Sequence, residues 1–208
     1  MKFLCLHGNG SNSIVMQQQT AGLRHELEGE HEYEFVEATA AGPMAEDVAS
    51  LATSDQSFFY YWDPADYKGL HMSIEQLDTY IHAEGPFDVI MGFSAGSLLA
   101  AMYILGLQNG TAWQGGRLPF KCAIFVCTAG IGATAKSLGL NHGTERIKLP
   151  TVHIWGSKDH IETTGGADLV RICDAETRRV VVHDGGHEFP KGTYLTAAVH
   201  AIRRTISP

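Results

Sequence analysis

The stretch Gly92-Phe93-Ser94-Ala95-Gly96 is a G-x-S-x-G match, and Ser94 is the residue around which chemistry could be built. A serine hydroxyl is a poor nucleophile until a neighbouring base removes its proton. The pentapeptide alone is a weak signal, because glycine and serine are common. Its setting is more specific. It directly follows the strand-like run Asp88–Met91 and directly opens residues 95–107, which are almost wholly apolar or small. A strand, a sharp turn and a buried helix, in that order, project the serine Oγ above a sheet; small residues at 92 and 96 let strand and helix approach closely.

The chain also supplies an acid and a base in a consistent order. The apolar run Thr151–Trp155 leads into Gly156-Ser157-Lys158-Asp159, and Arg179–His183 leads into Asp184-Gly185-Gly186-His187. Asp159 lies 65 residues beyond Ser94 and His187 a further 28, each an interval of one or two strand–helix units. Nucleophile, then acid, then histidine is the chain order found with this kind of elbow. Eleven histidines are present, so a histidine on a suitable loop is not by itself a signal. His183 ends a strand-like run and His153 lies within one, which reads as packing. His160 adjoins the acid on its own loop. Asp184 is too close to His187 along the chain to reach its Nδ1 easily, and Asp174 falls at a helix end. Gly185-Gly186 between His183 and His187 argues against a helical metal pair, and no H-E-x-x-H is present. Neither a metal nor another cofactor is expected.

A tetrahedral intermediate needs two backbone N–H donors for its oxyanion. Ala95, at the start of the helix after the nucleophile, is one candidate, since unpaired amides and the helix dipole both favour negative charge there. The other is expected from the loop after the first strand, His7-Gly8-Asn9-Gly10-Ser11-Asn12, with Asn9 first and Gly10 in reserve. Phe58-Phe59-Tyr60-Tyr61-Trp62 is densely aromatic. Core filling accounts for such residues as readily as substrate contact does; Phe59, Tyr61 and Trp62 are the candidates for lining an acyl pocket.

Those side chains must be carried to one place. Short strand-like runs, Lys2–Leu6, Tyr33–Glu37, Asp88–Met91, Cys122–Cys127, Thr151–Trp155 and Arg179–His183, most of them continuously apolar, alternate with amphipathic or buried helical segments at 14–28, 74–84, 95–107, 164–173 and 190–206. Ser73 and Gln76 have capping-box spacing ahead of the second of these helices. Runs without polar alternation suit strands covered on both faces, and repeated β-then-α order implies a doubly wound parallel sheet. The expectation is an α/β-hydrolase fold: one domain over residues 1–208, six mainly parallel strands, helices on both faces and no large separate lid domain. Residues 38–72 contain no clear strand, and 128–148 form a second long connection. Both leave the carboxyl ends of strands, where open α/β sheets build ligand crevices.

Composition narrows the partners. The net charge of −8 and pI of about 5.7 give no reason to expect nucleic acid or an anionic membrane surface. The apolar start, Met-Lys-Phe-Leu-Cys-Leu, stops at His7 without a cleavage site, and no run approaches membrane-spanning length; a cytoplasmic protein is expected. Cys5, Cys122, Cys127 and Cys173 lack metal-type spacing and read as buried free thiols.

With Leu-Cys-Leu-His-Gly at 4–8, Gly-Phe-Ser-Ala-Gly at 92–96, Gly-Ser-Lys-Asp at 156–159 and Gly-Gly-His-Glu-Phe-Pro at 185–190, the chain resembles the fungal serine hydrolase family over essentially its whole length. That resemblance implies the triad positions Ser94, Asp159 and His187. It departs at Ala95 and Ser97, where many relatives carry Gln and Ala. The His-Gly-Asn-Gly-Ser-Asn loop and the aromatic segment look most like the chain-releasing thioesterases of fungal polyketide pathways. The resemblance therefore implies cleavage of an acyl thioester or ester, with release of a polyketide-type acid from an acyl carrier protein as the finer expectation. A carboxylesterase acting on small free esters, an acyltransferase using the same triad, and a catalytically silent binding protein are the alternatives.

Overall fold

Every residue of Val89–Phe93 and of Cys122–Val126 is buried, as an apolar run without polar alternation requires when helices cover both faces of its sheet. In the computed structural model, which describes residues 1–63, 68–110, 118–139 and 146–207, the strands are β1 (Lys2–Leu6), β2 (Glu32–Val36), β3 (Ala40–Gly42), β4 (Phe58–Tyr60), β5 (Val89–Phe93), β6 (Cys122–Val126), β7 (Thr151–Gly156) and β8 (Arg178–His183). Six of them form one sheet in the order β2-β1-β5-β6-β7-β8. Every pairing in it is parallel. The fold is that of an α/β-hydrolase.

The helices are α1 (Ser13–Gln19), α2 (Ala21–Leu27), α3 (Lys68–Glu84), α4 (Ala95–Gln108), α5 (Gly132–Ser137), α6 (Gly165–Arg171) and α7 (Gly192–Ile206). Alternate strand residues face opposite sides. Leu4, Leu6, Ile90 and Phe125 join α3, α4 and α6 in one apolar cluster. Phe3, Cys5, Met91 and Ile124 join α1, α2 and α7 in the other. α4 is buried nearly all round, from Ala95 to Gly106, which its almost wholly apolar or small sequence demands. No helix among the described residues is long and apolar enough to cross a membrane.

The structure differs from the sequence reading in four places. The segment 14–28 is two short helices that meet at Thr20, whose hydroxyl donates to the Met16 carbonyl at 2.7 Å. α3 starts at Lys68, so Ser73 lies inside it, its hydroxyl donating to the carbonyls of Tyr61 and Gly69 instead of capping. Residues 38–72 do contain strands: β3 and β4 pair antiparallel, Ala40 opposite Tyr60 and Gly42 opposite Phe58. The 128–148 connection contains α5; its residues 140–145 lie outside the described residues. Among the described residues the 38–72 connection holds only this hairpin, a short 3-10 turn at Glu46–Val48 and the start of α3, with no separate lid.

From β1 the chain passes to β2 on one side and then crosses to β5 on the other. Loops leaving neighbouring strands at such a reversal diverge and open a crevice. The loops after β1 and β5 are His7–Asn12 and the Ser94 turn.

Candidate active site

Ser94 stands between the last residue of β5 and the first of α4 with φ 52° and ψ −116°. A side chain held in that region costs about 1–3 kcal/mol and persists only where the surroundings over-determine it. Here they do. The Ser94 N–H donates to the Val126 carbonyl at 2.8 Å, and its own carbonyl accepts the Leu98 N–H at 3.1 Å. Close approach explains the flanking glycines: a Cβ on Gly92 would meet the backbone of Gly96 and Ser97, and one on Gly96 the carbonyl oxygens of Leu6 and His7. Ser97 fastens the crossing further. Its buried Oγ donates to the Gly92 carbonyl at 2.6 Å and accepts the Val126 N–H at 2.9 Å.

The loops after β7 and β8 bring the acid and the histidine together. Asp159 Oδ2 lies 2.7 Å from His187 Nδ1, and both side chains are nearly inaccessible, 2% and 4% exposed. Asp159 Oδ1 accepts the Ile161 and Glu162 amides at 3.0 and 2.9 Å. Burial pushes the Asp159 carboxyl up, but the Glu162 amide, the His187 ring and the Ile161 amide outweigh it and hold the group below the ordinary aspartate value. The His187 ring rests edge-on against Phe93 at 5.1 Å. His187 and Ser94 line one cavity of about 410 Å³, together with Ala95, Leu98, Asn9 and Trp62. Their link is this shared wall rather than a closed hydrogen bond; catalytic contacts of this kind often tighten only when substrate is bound.

In the loop after β1, Asn9 lines the cavity. Its side chain accepts the Tyr61 N–H at 3.1 Å and reaches the Trp62 carbonyl at 3.5 Å. The Gly10 N–H is committed to the Phe59 carbonyl at 2.9 Å, and the Phe59 N–H to the Ser11 carbonyl at 2.8 Å. Of the three aromatic candidates, Trp62 lines the cavity with Ser94. Phe59 packs against the core on the α3–α4 side. Tyr61 stacks near His7, ring centres 5.1 Å apart, and lines a separate cavity of about 120 Å³. Much of the aromatic segment thus anchors the β1 loop.

Two of the competing histidines have other partners. His153 is buried with Nε2 2.9 Å from the Thr151 hydroxyl, and desolvation followed by the Arg178 charge lowers its pKa to about 3. His183 is buried and accepts the Gly185 N–H at 3.2 Å.

Several residues at the site carried no recognised signal in the sequence. Cys127, a small hydrophobe by its surroundings in the sequence, directly follows β6 in a left-handed conformation (φ 47°). Its Sγ and the ligand-type atoms of Asp159 and His187 all lie within 4.8 Å of one another. Burial, reinforced by the Asp159 charge, pushes its thiol pKa up, which favours a neutral thiol donating to the Glu188 carbonyl at 3.5 Å. Asp47, Ile161 and Glu162 also line the cavity. For Glu162 a signal existed: it stands three residues past Asp159, the spacing at which a turn returns a side chain to the same side.

A sequence profile of the family described as Serine hydrolase (FSH1) matches residues 1–199. Esterase FPY3 of Fusarium mangiferae is 37% identical over 202 residues, covering 92% of this chain and 89% of that protein. Hydrolase FUB4 of Fusarium oxysporum f. sp. lycopersici is 27% identical, with 96% and 95% covered. Among solved structures, Arabidopsis thaliana SOBER1 superposes with a TM-score of 0.64 at 14% identity, covering 100% and 99% of the two chains. The Bacillus cereus carboxylesterase gives 0.64 at 15%, covering 97% and 87%.

Proposed function

Because the chain belongs to the serine hydrolase family described as FSH1, we propose that it is an esterase working through an acyl-enzyme, with Ser94 as nucleophile, His187 as base and Asp159 as the acid behind it. One observation carries this reading: a serine at a strained strand–helix turn shares a cavity with a histidine whose far nitrogen is held by a buried carboxylate.

With an ester bound, His187 Nε2 takes the Ser94 proton as Oγ attacks the carbonyl carbon. Asp159 holds the ring with its proton on Nδ1 and stabilises the imidazolium that forms. The oxyanion is held by the amides of Ala95 and Asn9. Gly10 is set aside as donor, since its N–H is already spent on Phe59. The imidazolium then protonates the leaving alcohol, and a water deprotonated by His187 releases the acid from the acyl-serine. A cavity of about 410 Å³ lies in the size range of small-molecule sites, and Trp62 is one of its walls.

A thioester carbonyl is open to the same attack. Release of a polyketide-type chain from an acyl carrier protein is supported by the resemblance of the His7–Asn12 loop and the aromatic segment to chain-releasing enzymes. Comparing one acyl group as an oxyester, an N-acetylcysteamine thioester and a carrier-bound thioester distinguishes the two leaving groups. Added alcohols or amines would reveal acyl transfer.

The triad is tested by labelling with a fluorophosphonate. We expect one adduct per chain, on Ser94, and a burst of product equal to enzyme; Ser94→Ala should lose both. A Ser94→Ala protein that keeps its activity refutes the assignment.

A further inference from the structure

The cavity that receives the ester carries two carboxylates, Asp47 and Glu162, and among the described residues that line it no lysine or arginine. Glu162 is half-buried. Its Oε2 accepts the Gly130 N–H at 3.1 Å, which pins the carboxylate to the loop after β6, in the cavity that His187 also lines. Burial raises the Glu162 carboxyl above the ordinary glutamate value while the His187 charge draws it down, so the group lies within the electrostatic field of the imidazole. Asp47 comes from the 3-10 turn between β3 and β4 and is exposed. Neither is used in the steps above, because Asp159 already serves as the acid. Both remain where a charge on the substrate would feel them.

We propose that Glu162, reinforced by Asp47, is a specificity-determining residue that selects esters whose groups beside the scissile bond are neutral or cationic and rejects those carrying a carboxylate there. This inference rests on the esterase reading and names its substrate class. An acyl-enzyme reaction already builds one negative charge, on the oxyanion, inside the cavity. A second anion beside the carbonyl would be repelled by both the oxyanion and Glu162, whereas an ammonium group there would be attracted. Two unit charges ~6 Å apart at an effective dielectric of ~40 change a rate by about tenfold, and an anion and a cation are shifted in opposite directions.

The test uses three esters of one acyl group on the full chain: ethyl butyrate, butyrylcholine and O-butyryl glycolate. The wild type should favour the choline ester over the glycolate ester by about 10–100-fold in kcat/KM. That ratio should fall about tenfold or more in Glu162→Gln and further in Glu162→Lys, and rising salt should compress it in the wild type. Asp47→Asn, on an exposed turn, should lower it in the same direction by less, and serves if a Glu162 variant fails to fold. Equal use of both charged esters by the wild type overturns the proposal, as does a ratio unmoved in all the variants. Ethyl butyrate separates the two readings. If it is hydrolysed in a Ser94-dependent way without charge discrimination, only this inference fails; if no ester is hydrolysed, the esterase reading itself fails.

Discussion

Replacing Asp159 with asparagine changes one atom at the 2.7 Å contact with His187 and leaves the volume of the side chain almost unaltered. Asp159 Oδ1 accepts the amides of Ile161 and Glu162, and the asparagine oxygen can keep both of those bonds only by occupying the same position. Its NH2 group then points at His187 Nδ1. An amide nitrogen only donates, so Nδ1 must become the acceptor and the ring proton moves to Nε2, the atom that has to take the Ser94 proton. The imidazolium also loses its buried counter-charge. Because the two side chains are only 2% and 4% exposed, solvent does little to replace that charge. The combined loss should be about 10⁴ in kcat, equivalent to ~5.5 kcal/mol of barrier. Single-turnover acylation with p-nitrophenyl acetate measures it directly, with Ser94→Ala as the floor and a thermal melt to show that the fold persists. A folded Asp159→Asn protein within tenfold of the wild-type rate would refute the assignment of Asp159 as the acid.

Three further outcomes follow from the same geometry. Ser97→Ala leaves the buried Val126 N–H and Gly92 carbonyl without the partner they share, which should cost about 1–3 kcal/mol; calorimetry should show a Tm several degrees lower, and an unchanged Tm would contradict it. Gly96→Ala drives a Cβ into the carbonyls of Leu6 and His7, whereas Gly132→Ala meets nothing within 4 Å. The first should abolish or severely reduce soluble folded protein and the second should not, and equal behaviour would refute the close-approach argument. His153 has its pKa lowered to about 3 by desolvation and then by Arg178, so between about pH 6.5 and 3 the unfolded chain binds a proton that the folded one does not. Its contribution is complete above pH 6.5 and is lost as the pH falls toward 3, by up to a few kcal/mol. In denaturant titrations from pH 6.5 to 4, His153→Gln should show a shallower loss of stability than the wild type; identical slopes would sink the assignment.

What could be read from the sequence, and what could not, divides along the range of the interactions involved. β5 and β6 were legible because a strand covered on both faces must be apolar at every position, and that is a property of consecutive residues. The β3–β4 hairpin was not. Each strand has three residues, too few for any period, and β4 is held partly by Ser11 and Gly10 from a loop nearly fifty residues away. The break at Thr20 has no mark in the sequence: its hydroxyl donates to its own helix's carbonyl, as any helical threonine can. Ser73 carried a capping signal that the structure spends on the Tyr61 carbonyl instead, since α3 continues six residues back beyond the proposed start.

The sequence by itself determined the order of the chemistry. The proposed nucleophile after one strand-like run, acid after a second and histidine after a third can meet if those runs are parallel strands of one sheet, because the loops that follow them then leave at a common edge. It also determined the small residues at 92 and 96, because nothing larger fits where α4 crosses β5. Only the tertiary structure decided which neighbours those residues would have. It sent the Gly10 amide to Phe59, kept Trp62 in the cavity while turning Phe59 and Tyr61 to other packing, set the Cys127 thiol beside Asp159 and His187, and put Glu162 on the wall of the cavity that Ser94 lines. The physical reason is the same in each case. Periodicity records which face of an element is buried, but hydrogen-bond partners and cavity walls come from separate loops, whose meeting is fixed by the strand order and not by any local run of residues.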